Sequence, residues 1–255
     1  MIKYKLIDKK FELEKRNRIS QYSKNSKIKK IFHDYNYQMS LAKYSYNFSW
    51  MGVPIIQYPD DMIVVQELIC NLNPDLIVET GVARGGSLIY YASILKLLGK
   101  KNSKVVGIDI DIRKHTKKVF NQHPLKNKIT LISGSSIDPQ TFKKVKFISK
   151  NYRKKLVILD SNHTHQHVLK ELNFYSKIVS KNSYIIVFDS TVNILKKKNV
   201  MKLKKNYHLK QWGKDNNPMT AIFEFIKKNK SFKIDKSFNY KPLCSNTFNG
   251  FLIKK

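Results

Sequence analysis

Acidic residues are scarce in this sequence: 18 Asp and Glu stand against 49 Lys and Arg in 255 residues, leaving a formal charge of +31. Cysteine is nearly absent. The two present, Cys70 and Cys244, are far apart and outside any CxxC pair, which excludes a disulfide framework and a cysteine-based zinc site. Only 9 Gly and 7 Pro occur, too few for a collagen-like or mucin-like chain. No apolar run approaches the roughly 20 residues of a membrane-spanning helix, and the opening MIKYKLIDKK has no continuous apolar stretch of the kind that marks a secretory signal. A cytoplasmic protein without a membrane span is expected. What is present suffices for a core: 42% of residues are hydrophobic and 12% aromatic, in a length that suits one domain with an extra arm.

The positive excess raises the question of a nucleic-acid or other polyanionic partner, because a basic surface gathers phosphate and releases counterions. Its make-up points elsewhere. There are 44 Lys and only 5 Arg, whereas bidentate recognition of phosphates and guanine edges favours Arg. The lysines also stand among many Asn, Ile, Tyr and Phe, all residues of AT-rich codons, so background composition accounts for much of the excess. A polyanion-binding protein is therefore the alternative reading, with nucleic acid not expected as a partner.

Residues 1–49 form a basic, Tyr-rich arm without Gly or Pro, expected to be helical with a loose start. Gly52, Pro54 and Pro59 then mark a loop, and a helix opens at Asp60 or Asp61 with Ile63, Val64, Glu67 and Leu68 on its apolar stripe before Pro74 ends it. From Pro74 onward short apolar runs alternate with helical patterns, the signature of βαβ units and a parallel sheet. The strands predicted are Leu76–Glu79, Val105–Asp109, Ile129–Ile132, Leu156–Asp160 and Tyr184–Asp189, with helices at Ser87–Leu98, Arg113–Phe120, Pro139–Ile148 and His165–Val179 between and around them. A last helix near Pro218–Lys228 precedes two short runs, Phe232–Ile234 and Gly250–Ile253, able to pair as final strands. The basic run Lys196–Lys205 reads as a solvated helix face.

Four of the five main strands end at or beside a carboxylate: Glu79, Asp109, Asp160 and Asp189. Open α/β sheets bind ligands beyond the carboxyl ends of their strands, so these acids would converge on one crevice. Strand Leu76–Glu79 also runs into a glycine-rich turn, Thr80 to Ser87, whose Gly81 and Gly85 permit a tight bend and whose following helix offers unpaired N–H groups. It matches neither GxGxxG nor a P-loop. One βα unit later Asp109 can accept hydrogen bonds from both hydroxyls of a ribose, with Asp111 the competing acid.

These stretches carry a resemblance. Glu79-Thr80-Gly81 through Gly85-Gly86-Ser87, with Gly107-Ile108-Asp109-Ile110-Asp111, resembles motifs I and II of class I S-adenosylmethionine-dependent methyltransferases. More narrowly, Trp50-Met51-Gly52, Gln57-Tyr58-Pro59-Asp60, Gly134-Ser135-Ser136, the run from Asp160 to Leu172, Val187-Phe188-Asp189 and Asn217-Pro218-Met219-Thr220-Ala221 resemble the cephalosporin hydroxylase family, which is related to rhamnosyl O-methyltransferases. The resemblance covers residues 50–255. It implies a Rossmann-like, mostly parallel, doubly wound sheet with a C-terminal antiparallel strand. It also implies a pocket for S-adenosylmethionine at Gly81, Gly85 and Ser87, with Glu79 near the amino-acid end, Asp109 on the ribose and Ser135 or Ser136 by the adenine. The activity implied is O-methyl transfer to a hydroxyl of a small molecule, sugar or glycan precursor.

Related metal-dependent O-methyltransferases place a carboxylate after each of two strands and a basic residue three positions beyond the first. Asp160 and Asp189 would thus hold a hard cation such as Mg²⁺, and His163 would act as general base, being largely neutral at neutral pH. The neighbours of Asp189, Phe188 and Ser190, offer no good third ligand. His165 and His167 are spread over different helix faces by their spacing. An iron-dependent oxygenase, suggested by the family's name, would need a two-His, one-carboxylate face, and the sequence has no His-x-Asp or His-x-Glu. The arm and the Trp50–Pro59 loop are expected to cover the acceptor or to join subunits of a homo-oligomer.

Overall fold

The computed structural model describes residues 8–207 and 212–255; the first seven residues of the arm lie outside them. The arm is two helices, α1 (Lys9–Tyr22) and α2 (Ser26–Leu41), each opened by a side-chain cap from Asp8 or Asn25. No residue of α1 is buried. α2 sinks Phe32 and Asn36 into the protein, where Asn36 bonds the backbone of Leu243 and Ser245.

A small hairpin follows, β1 (Phe48–Trp50) and β2 (Val53–Ile55), paired antiparallel. Its turn uses Met51 and Gly52 at positive φ. Helix α3 (Pro59–Leu72) comes next, closed by Asn73 in the left-handed conformation. Its buried side carries Met62, Val65, Leu68, Ile69 and Leu72, whereas Ile63, expected on that stripe, is exposed. The 3.6-residue repeat runs through Val65, Leu68, Ile69 and Leu72, and this carries Ile63 to the outer face.

The central sheet then builds up as β3 (Leu76–Thr80), α4 (Gly86–Leu97), β4 (Lys104–Asp109), α5 (Lys114–Gln122), β5 (Ile129–Ser133), α6 (Pro139–Ser149), β6 (Lys155–Leu159), α7 (His165–Tyr175) and β7 (Tyr184–Val187). Helices α8 (Lys197–Asn206) and α9 (Pro218–Lys228) precede β8 (Phe232–Ile234) and β9 (Phe251–Lys254). The spatial order is β5-β4-β3-β6-β7-β9-β8, with β9 antiparallel to both β7 and β8 and the other pairs parallel.

Both faces of the sheet are covered, which is why its strands read as continuous apolar runs. Alternation is nonetheless strict. Ile77, Val105, Leu156, Ile158 and Ile186 face the layer of α3 and α4, while Val78, Val106, Val157, Leu159 and Ile185 face α6, α7 and α9. The basic run Lys196–Lys205 exposes most of its lysines and buries Val200 and Leu203 against Trp212, beside Tyr37 and Leu41 of α2. The strand order reverses between β3 and β6, the switch point at which such sheets bind ligands.

Candidate active site

The loops after β3 and β6 meet at the switch point. Gly81 has φ +89°, and a Cβ there would overlap the Asp160 carbonyl group, so only glycine lets the two loops touch. Gly85, at φ +92°, caps the start of α4. The turn between them is held by Asp109, whose Oδ2 accepts from the N–H groups of Val82 (2.8 Å) and Ala83 (3.2 Å) while Oδ1 accepts from Asp111 (2.9 Å). The expected ribose acid thus serves as the anchor of the glycine turn here.

Glu79 is completely buried on the α4 side of the sheet. Its carboxyl accepts hydrogen bonds from Ser87 Oγ (2.6 Å) and the Tyr91 hydroxyl (3.0 Å), and Gln57 Nε2 in turn reaches that hydroxyl at 3.3 Å. No cation compensates it. Burial, with the charges of Asp160 and Asp109 adding, pushes Glu79 up to about 8 against the pull of Ser87. Gln57 Oε1 and Thr80 Oγ1, both buried, have no partner. A fully buried acid without a counter-charge, next to two orphaned oxygens and a glycine turn, suits a ligand carrying an ammonium group.

Beyond β5, Ser135 is half-buried and its carbonyl accepts from Asp138. Ser136 is buried with its hydroxyl 3.0 Å from His167 Nε2, engaged inside the protein. His167 also approaches Ser161 and the buried Glu171. His165 points elsewhere, to Thr220 and Glu224 of α9, in agreement with the expected separation of the two histidines.

Asp160, His163 and Asp189 come together beyond β6 and β7, each offering an atom within 4.8 Å of the others. Asp189 adopts φ +55°, an uncommon backbone state that Asp tolerates, and its Oδ2 lies 2.9 Å from His163 Nε2. The Asp160 carboxylate takes no hydrogen bond from a described residue, and burial plus the Asp189 charge push it up to about 8. Burial opposes the charged form of His163, but the charge and hydrogen bond of Asp189 outweigh it and raise the imidazole to about 9. Asp189 is held below the usual carboxylate range, since His163 outweighs its burial. The expectation of a neutral His163 is therefore corrected: with Asp189 at hydrogen-bond distance it carries a proton at neutral pH. Two carboxylates, one of them without a donor, and an imidazole form a donor set suited to a divalent cation, with His163 as the third ligating group that the residues beside Asp189 do not supply.

A cavity of about 340 Å³ opens over this triad. Its far wall comes from Asn36 and Ser40 of α2, from Tyr46, and from Tyr207 and Trp212 beside α8. Sequence reasoning missed α2, Trp212, and the Gln57–Tyr91 extension of Glu79. Only the last carried a signal, the stretch Gln57-Tyr58-Pro59-Asp60.

The family model described as Rhamnosyl O-methyltransferase/CmcI matches residues 42–255. The chain belongs to this family. Curated relatives include rhamnosyl O-methyltransferases of Mycobacterium leprae (strain TN), 34% identical over 62 residues, and Mycobacterium bovis (strain BCG / Pasteur 1173P2), 27% identical over 147 residues. The matches cover 24% and 57% of this chain, and the chain spans 27% and 58% of the length of those relatives. Among solved structures, CmcI with Mg and SAM superposes with a TM-score of 0.57 at 21% identity, covering 82% of this chain and 77% of that one. A protein described as a putative caffeoyl-CoA O-methyltransferase from Staphylococcus aureus gives 0.53 at 17% identity over 95% and 100%. The architecture of this Rhamnosyl O-methyltransferase/CmcI family member is thus that of class I methyltransferases, with the C-terminal antiparallel strand expected. Among the described residues no helix is long and apolar enough to cross a membrane.

Proposed function

We propose that the protein is an S-adenosylmethionine-dependent O-methyltransferase acting on a hydroxyl of a sugar or glycan precursor, assisted by a divalent cation. The observation that carries this reading is the meeting of Asp160, His163 and Asp189, at the mouth of one cavity, with the glycine turn that Asp160 touches. The names of the mycobacterial relatives support the sugar.

Glu79, Gly81, Gly85, Ser87 and Asp109, with Ser135 and Ser136 farther along, would hold S-adenosylmethionine, the ammonium end lying toward Glu79. Bound there, it supplies an electrophilic methyl on a sulfonium. Asp160 and Asp189 would hold the cation, which supplies Lewis acidity to lower the pKa of the acceptor hydroxyl. With Asp189 so engaged, His163 loses the partner that raises it and becomes the neutral base that takes the hydroxyl proton as the oxygen gains its methyl. The aromatic wall excludes water from this exchange.

Calorimetric titration of the full chain with S-adenosylmethionine and its demethylated product tests the first part. Absence of binding by both to folded protein sinks the reading. Transfer of labelled methyl to neutral glycosides, with and without chelator, tests the rest, and transfer unchanged by chelator removes the cation.

A further inference from the structure

The protein carries 44 lysines, yet no Lys or Arg lines the 340 Å³ cavity among the described residues. Its charged groups are Asp160, His163 and Asp189, all on the floor. The walls are aromatic and hydroxyl-bearing: Tyr46, Tyr58, Tyr207 and Trp212, with Ser40 and Asn246 between them. A phosphate entering here would shed its water without meeting a fixed cationic side chain and would face two carboxyl groups.

One donor in this lining is unspent. Trp212 is 8% exposed, and its indole Nε1 has no hydrogen-bond partner. Leaving such a donor unpaired is unfavourable, so a buried, partnerless N–H beside a cavity marks a place where a ligand oxygen belongs. The remaining wall polar groups are already committed. The Ser40 carbonyl accepts from the Tyr207 hydroxyl at 2.7 Å, the Ser40 and Tyr58 hydroxyls lie 3.2 Å apart, and Asn206 Nδ2 donates to the Leu41 carbonyl at 3.1 Å. These bonds tie the end of α2 to α8, so a helix preceding the family match at residue 42 fixes the shape of the wall. The cavity is small on the scale of ligand sites, about 300–1,000 Å³, which suits a single ring.

We propose that this cavity selects an uncharged, polyhydroxylated ring, held by the Trp212 indole N–H and the tyrosine wall, and that any anionic group of the acceptor stays outside it. That the ring is the methyl acceptor rests on the methyl-transfer reading.

The test uses the two tryptophans. Trp50 Nε1 already donates to Ser93 Oγ at 3.0 Å, so its indole resonance is the internal control. In ¹⁵N-labelled full-length protein, methyl rhamnoside, methyl glucoside and methyl mannoside serve as neutral probes, and glucose 1-phosphate as the anionic one. Trp50→Phe assigns the two indole signals. At least one neutral glycoside is expected to shift the Trp212 signal and leave that of Trp50 in place, while the phosphate shifts neither. Trp212→Phe, which keeps an aromatic wall and removes the N–H, should weaken that glycoside about tenfold, or about 1.4 kcal/mol, in a calorimetric titration. A response to the phosphate as strong as to the glycosides overturns the proposal, as does silence of Trp212 toward every neutral probe. Should Trp212→Phe not fold, the indole shifts of the native chain decide alone. Binding of a glycoside by protein that does not bind S-adenosylmethionine would keep the sugar site and remove methyl transfer. The converse would remove the sugar site only.

Discussion

Replacing Glu79 by Gln keeps the shape of the side chain and removes its charge, at a position with no solvent exposure and only hydroxyl partners. In the folded protein the carboxyl is pushed up to about 8 from an ordinary value of 4.5. A raised carboxyl means that the protonated form is the one the fold prefers. Its contribution is fully present below the unfolded value and is lost as pH rises through about 8. That gap, at about 1.36 kcal/mol per tenfold change in proton affinity, caps the loss at about 5 kcal/mol, and structural relaxation reduces it to about 2–3 kcal/mol. Denaturant unfolding at a series of pH values should therefore find Glu79→Gln near wild type at about pH 5 and more stable than wild type above about pH 8. Addition of S-adenosylmethionine near neutral pH should release a proton from wild type as the ammonium approaches Glu79. The binding enthalpy would then change with the ionisation enthalpy of the buffer, and in the Gln variant it would not. A stability difference that stays flat with pH refutes the reasoning.

Asp189→Asn removes the charge that raises His163, so the imidazole, near 9 in the native protein, should return toward or below its ordinary value in a histidine NMR titration. Binding of Mn²⁺, followed by paramagnetic line broadening, should be lost in both Asp160→Asn and Asp189→Asn while the far-ultraviolet spectrum is unchanged. Asp61 is buried under the C-terminal loop, where it accepts from Ser245 Oγ, Thr247 Oγ1 and the Asn246 N–H. Asp61→Ala leaves those donors unpaired and should cost about 2–4 kcal/mol in denaturant unfolding. Gly81→Ala forces a side chain into the Asp160 backbone at positive φ and should lower stability by about 2–4 kcal/mol and weaken cofactor and cation binding together.

The sheet was legible because its strands are covered on both faces: Leu76–Glu79 and Val105–Asp109 lie within one residue of the observed β3 and β4. Helix α9 and strand β8 fall where their Pro218 and Phe232 signals put them. The hairpin around Met51 was hidden by Pro54, which reads as a loop residue but sits in a short two-stranded pair, opposite Ser49. At the site, the strand-end acids were visible as residues, but their electrostatics were not. The proton on His163 depends on Asp189 adopting a left-handed backbone state, and the anchoring of the glycine turn by Asp109 depends on where Val82 and Ala83 point their N–H groups. The cavity wall was the least legible part. Its residues, Asn36, Tyr207 and Trp212, are brought together by helix packing between segments far apart in sequence, which local periodicity does not record.

The contact of Gly81 with the Asp160 carbonyl has an evolutionary consequence. Because one loop leaves no room for independent movement of the other, the groups that would perform the chemistry behave as a single casting. Variation there is punished twice. The wall made by α2 and α8 touches that casting only across the cavity, so its side chains are free to drift without disturbing it. In a lineage built this way new acceptors arise by changing the helices that face the platform, and grafting a foreign α2 and α8 onto the same strand ends is the natural route to a changed specificity.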